Sequence, residues 1–156
     1  MKRWITKGLV LCSIFLPPAA ISPAEVLTEK HYTKDSRFQR IKAFFQKRSC
    51  PMERYAADLV AAADQNHLDW RLLPSLALVE SSGGKVFVNN NVFGWDSCRQ
   101  KFPSIQAGIH AVAERLANSP YYRGKSLEGK LRAYNQNPHY VATVKKVMSQ
   151  LATEPW

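Results

Sequence analysis

Glu80 is the residue whose type and position most suggest chemistry. It ends an apolar helical stretch, Leu72-Leu73-Pro74-Ser75-Leu76-Ala77-Leu78-Val79, and Ser81-Ser82-Gly83-Gly84 follows. A helix C-terminus carries partial negative charge, so a carboxylate in the last turn is disfavoured. Ala77, Leu76 and Leu73 lie three, four and seven residues before it and share its face at helical spacing. An apolar face and an opposing dipole both raise a carboxyl pKa. A carboxylic acid held protonated near neutrality is what general-acid cleavage of a glycosidic bond requires. The plainer alternative is a glutamate that frays into solvent at a helix end.

Two further segments could complete a glycan site. Asn89-Asn90-Asn91-Val92-Phe93-Gly94-Trp95 offers amides for sugar hydroxyls and N-acetyl groups, and Trp95 offers a flat face for a sugar ring. An asparagine run is also a common turn. Ala133-Tyr134-Asn135, followed by Tyr140, offers tyrosine hydroxyls, and a buried one needs a partner that a catalytic carboxyl would provide. Tyr134 read alone is a core residue. Ser81 and Ser82 add short hydroxyls, and Gly83-Gly84 would let a substrate approach the backbone.

These segments resemble those of a known superfamily. Leu72–Val79 ending in Glu80-Ser81-Ser82-Gly83 is similar to the active-site helix of lysozyme-like lytic transglycosylases and related bacterial glucosaminidases. Asn90-Asn91-Val92-Phe93-Gly94-Trp95 is similar to the asparagine–asparagine–x–phenylalanine–glycine signature of the glucosaminidase branch. Ala133-Tyr134-Asn135 is similar to the transglycosylase tyrosine–asparagine motif, although Gln136-Asn137-Pro138 follows where that motif has glycine. The order of the segments fits, and the resemblance covers about residues 52–152.

The resemblance implies a lysozyme-like α-helical fold with a cleft for peptidoglycan glycan strands. Glu80 would be the catalytic acid and then the base, with Tyr134 holding its carboxyl. Ser82, Asn90, Asn91, Phe93, Trp95, Asn135 and Tyr140 would contact substrate. In a transglycosylase the base activates the substrate's own 6-hydroxyl and leaves a 1,6-anhydro sugar. In a hydrolase a second carboxylate activates water or stabilises the oxocarbenium ion. Asp96, in the polar loop, and Glu114, on a helix beside Arg115, are the candidates. Neither context marks it strongly, so the single-acid mechanism is preferred. A hydrolytic glucosaminidase or muramidase is the alternative, and a non-catalytic cell-wall-binding domain is a third.

The rest of the chain bounds where such chemistry would occur. Lys2, Arg3 and Lys7 precede an apolar run, Gly8 to Leu16, that is too short to span a bilayer. Ser22-Pro23-Ala24 supplies small residues for cleavage after Ala24, so residues 1–24 read as a secretory signal. An uncleaved anchor is the alternative. Removal leaves 132 of the 156 residues, with 19 basic and 12 acidic side chains and a net charge of +7. That balance suits an anionic partner such as bacterial cell wall in the periplasm or outside the cell. Export argues against nucleic acid, and no stable membrane insertion is expected after cleavage. A monomer without cofactor is expected, and no metal site, because His31, His67, His110 and His139 have no ligand-like spacing to each other or to the cysteines. Cys50 and Cys98 remain after cleavage. An even count in an oxidising compartment predicts a disulfide between them. It would close a loop of about 49 residues, worth roughly 4 kcal/mol in the chain-entropy account. Two buried thiols are the alternative.

The elements that must position the site read as short helices. Residues 25–51 form an N-terminal extension that contains a basic amphipathic helix from Arg37 to Arg48, with Phe38, Ile41, Phe44 and Phe45 on one side. That stripe is expected to be satellite core, and membrane contact is the minority alternative. The catalytic domain is 52–156. Pro51–His67 reads as an Ala-rich helix, Asp69 as the cap of the next, and Gly83-Gly84 as its end. Lys85–Gln100 reads as a loop or small hairpin. Helices follow over Phe102–Asn118, from Ser126 to Tyr134, and after an Asn137 cap with Pro138 as first residue. The predicted class is all-α, five to six short helices around one polar, aromatic loop.

Overall fold

The computed structural model describes residues 31–156, and the predicted secretory signal lies outside them. The periodic apolar residues become helices whose stripes meet in one core. Asp35 opens α1 (Ser36–Gln46): its carboxylate accepts from the Arg37 amide at 2.8 Å, supplying one of the partners a helix N-terminus lacks. Phe38, Ile41, Phe44 and Phe45 are buried, and they join the main core rather than a satellite of it. Full burial of such a side chain contributes about 1.5–3 kcal/mol.

Pro51 breaks the chain into a 3-10 helix, Pro51–Tyr55, instead of the first turn of one long helix. The α-helix proper, α2, is Ala56–Gln65, and it is buried along almost its whole length, Ala56 to Ala63. Its alanines let neighbours approach on every side, and it packs against α1, α3 and α4.

α3 (Leu72–Ser81) carries Glu80. Its N-cap is Arg71, not the expected Asp69, which lies outside the helix in a turn where it accepts from the Arg71 amide at 3.0 Å and from the Arg71 guanidinium at 2.8 Å. Pro74 is tolerated as the third residue because the first-turn amides have no intrahelical acceptor. Leu72, Leu73, Leu76 and Ala77 are buried. The end is built from a left-handed Ser82 (φ 53°) and a Gly83 amide that reaches back to the Ala77 carbonyl at 3.0 Å. Glu80 is therefore one residue inside the last turn.

The segment between α3 and α4 forms turns, and no strand or hairpin occurs among the described residues. Ser104 caps α4 (Ile105–Asn118) by accepting from the Ala107 amide at 3.0 Å. Ile109, Val112 and Leu116 are its buried stripe, while Ile105 is half-buried. Ser126 caps α5 (Leu127–Tyr134) as the sequence suggests. The last helix, α6 (Tyr140–Thr153), starts later than expected. Asn137 and Pro138 lie outside it because the Asn137 carboxamide accepts from the His139 amide at 2.9 Å in a turn. α6 packs against α3, α5 and α1, which carries Tyr140 to the end of α3. The described residues are all-α: six α-helices and one 3-10 helix.

Candidate active site

A cavity of about 860 Å³ opens beside the C-terminal end of α3. Its wall includes Glu80, Trp95, Asp96, Cys98, Tyr134 and Asn135. Gly94, Ser97, Gln100, Arg115, Ser119, Tyr121 and Tyr122 complete it.

One Glu80 oxygen is hydrogen-bonded and the other packs close to the loop. Oε1 accepts a hydrogen bond from the Tyr140 hydroxyl at 2.5 Å. Oε2 lies against Gly94, where an added Cβ would fall 2.9 Å from it. Gly94 also has φ +63°, a backbone conformation that costs other residues about 1–2 kcal/mol. Burial holds the Glu80 carboxyl above its ordinary 4.5, and the Tyr140 hydrogen bond pulls the other way without reversing the shift. Burial, together with the bond to Glu80, raises the Tyr140 hydroxyl so far that it remains a donor at any ordinary pH.

This geometry corrects the expected role of Tyr134. Its hydroxyl donates to the Phe93 carbonyl at 2.5 Å and does not hold Glu80. The rings of Tyr134 and Tyr140 are stacked, 6.0 Å apart and 7° from parallel. Tyr134 lines the cavity, whereas Tyr140, an expected substrate contact, is buried behind it and does not. One hydroxyl then reaches the carboxylate and the other pins the loop that touches it.

Two of the expected sugar contacts serve the loop itself. The Asn90 amide donates to the carbonyls of Phe102 (2.9 Å) and Pro103 (3.3 Å). Asn91 is buried, donates to the carbonyls of Trp95 (2.9 Å) and Gln100 (3.0 Å), and accepts from the Trp95 amide (2.9 Å). A turn-rich segment leaves backbone groups without ladder partners, and these amides satisfy them. Phe93 is fully buried core. Ser82 is exposed at the helix end and does not line the cavity. Ser81 is the serine with a local role: it donates to the Ala77 carbonyl and accepts from the Gly84 amide.

Trp95 and Asn135 do line the cavity. The Trp95 ring is central, 5.6 Å from Tyr134 and 5.7 Å from Tyr122. The Arg115 guanidinium lies 5.7 Å from the same ring centroid. Asp96, Ser97 and Cys98 all have left-handed backbones (φ 51°, 52° and 63°), so strain is concentrated in the cavity wall. Asp96 reaches the cavity but is paired with Arg99 at 2.5 Å. Glu114 is exposed on α4 and is not part of the wall. Arg115, Tyr121 and Tyr122 belong to the site without having been anticipated. The adjacent tyrosines just beyond the α4 end were the available signal.

The expected disulfide is absent: Cys50 and Cys98 are free thiols. Cys50 packs beneath the end of α3, where an added Cβ on Gly83 would lie 2.6 Å from its sulfur. Cys98 instead forms part of the cavity wall. No group of three His, Cys, Asp or Glu side chains among the described residues could hold a metal ion. Comparison with known proteins gives no matching family model, no matching curated protein and no matching solved structure.

Proposed function

We propose that the protein cleaves β-1,4 glycosidic bonds in peptidoglycan glycan strands, with Glu80 as a single general acid and base. The observation that carries this reading is the Glu80 carboxyl: raised in pKa by burial, bonded to Tyr140, and on the wall of an aromatic cavity. A protonated Glu80 would give its proton to the leaving glycosidic oxygen as the bond to the anomeric carbon breaks. The resulting carboxylate would then take the proton of the substrate's own 6-hydroxyl as that oxygen closes on the anomeric carbon. Trp95 offers the sugar ring an apolar platform, and Asn135 lies within the same wall.

The transglycosylase form is preferred over the hydrolase because Asp96 is drawn into an exposed ion pair with Arg99 and Glu114 stands outside the cavity. The net positive charge would draw the protein to the anionic wall. The test is to incubate purified protein with peptidoglycan sacculi and analyse the released fragments by mass spectrometry. Anhydro-ended fragments are expected. Reducing ends would move the reading to the hydrolase, and a sacculus left intact would contradict it.

A further inference from the structure

The cavity holds a cation that nothing in the proposed cleavage uses. The Arg115 guanidinium lines the same wall as Glu80 and Trp95. Its Cζ lies 5.7 Å from the centroid of the Trp95 ring and 5.9 Å from that of Phe102. Its hydrogen-bond partner is one neutral oxygen, Gln100 Oε1, at a long 3.4 Å from both terminal nitrogens. No carboxylate lies within ion-pair distance of it among the described residues. Arg37, Arg48, Arg71, Arg99 and Arg132 do each lie against one. Asp96, the other acid in the wall beside Glu80, is occupied by Arg99.

An arginine crowded by aromatic rings has less freedom to lose when it binds, and its fork matches two carboxylate oxygens. Its long contacts to a neutral amide are ones a carboxylate would readily replace. Resting on the glycan-cleavage reading, we infer that Arg115 recognises a carboxylate carried by the strand, beside the sugar stacked on Trp95. Two sources share that chemistry. One is the lactyl carboxylate of a muramic acid, which is free only after an amide hydrolysis has removed its peptide. The other is a carboxylate of an attached stem peptide. In the first case this protein acts after an amide-cleaving step.

The test measures binding rather than turnover. The full chain carrying Glu80→Gln is titrated calorimetrically with three strands of equal length. One is peptide-free with free lactyl carboxylates, one is the same strand with those groups converted to neutral methylamides, and one bears stem peptides. Loss of the charge-assisted pair predicts about tenfold weaker binding of the neutralised strand than of the better charged one. Adding Arg115→Gln should abolish that difference, and Arg115→Lys should restore part of it. The tighter of the two charged strands identifies the source. Equal binding of all three strands, or a preference that survives Arg115→Gln, overturns the inference. The neutralised strand gives the answer without a mutant if Arg115→Gln fails to fold. A binding difference in a protein that cleaves no strand would count against the cleavage reading alone.

Discussion

The Tyr140 hydroxyl donates to Glu80 Oε1 at 2.5 Å, across sixty residues of chain. That bond joins the first residue of α6 to the last turn of α3. It links the packing of two helices to the position of one carboxyl, and it separates the duties of two stacked tyrosines.

The two tyrosines should therefore fail differently. Tyr140→Phe removes a bond that favours ionised Glu80, so the carboxyl pKa should rise further. General-acid activity falls as pH rises through that pKa, so the alkaline limb of the pH–rate profile should move to higher pH. The loosened carboxyl should lower the maximal rate by about tenfold or more. Tyr134→Phe should leave the limb in place and instead destabilise by about 1–3 kcal/mol, because the Phe93 carbonyl loses its donor. Identical profiles for the two variants would contradict this division.

Gly94 should be intolerant of even one methyl group. In Gly94→Ala the new Cβ would meet Glu80 Oε2 at 2.9 Å and the backbone would remain left-handed. The expected cost is about 1–2 kcal/mol in thermal or denaturant unfolding. Displacement of the carboxyl should reduce kcat by about 10²-fold. Near-normal activity would show that the contact does not position the acid.

The raised Glu80 pKa also has a stability sign. The folded state holds this proton more tightly than the unfolded chain does, whose carboxyl titrates near 4.5. The group's contribution is fully present below that value and is lost as pH rises through the folded pKa. Glu80→Gln carries no such loss. Its Tm relative to the unaltered protein should therefore rise between acid and neutral pH. A Tm difference that is flat with pH would mean the carboxyl is not shifted.

Free thiols predict that a reducing agent leaves Tm unchanged. Under native conditions a thiol reagent should label the half-exposed Cys98 well before the buried Cys50. Labelling of neither until reduction would indicate a disulfide.

The helical class was legible because its signals are local. The stripes Phe38-Ile41-Phe44-Phe45 and Ile109-Val112-Leu116 lie in the core, and Ser126 caps its helix. Glu80 could be singled out because helix position and apolar neighbours already imply desolvation. The exchange of Tyr140 for Tyr134 could not be read from spacing. The two rings stack on each other, and only the approach of α6 to α3 decides which hydroxyl meets the carboxyl. The asparagines were equally ambiguous: an amide that suits a sugar also suits an unpaired carbonyl, and here the loop claims Asn90 and Asn91. Arg115 and Tyr122 sit far along the chain from Glu80, and only tertiary packing brings them to the same wall.

The most direct test of the central claim compares the unaltered protein with Glu80→Gln on purified peptidoglycan, reading released muropeptides by mass spectrometry and checking the fold by circular dichroism. The account predicts anhydro-ended fragments from the unaltered protein and none from a fully folded Glu80→Gln. Fragments released at an undiminished rate by the folded variant would contradict it.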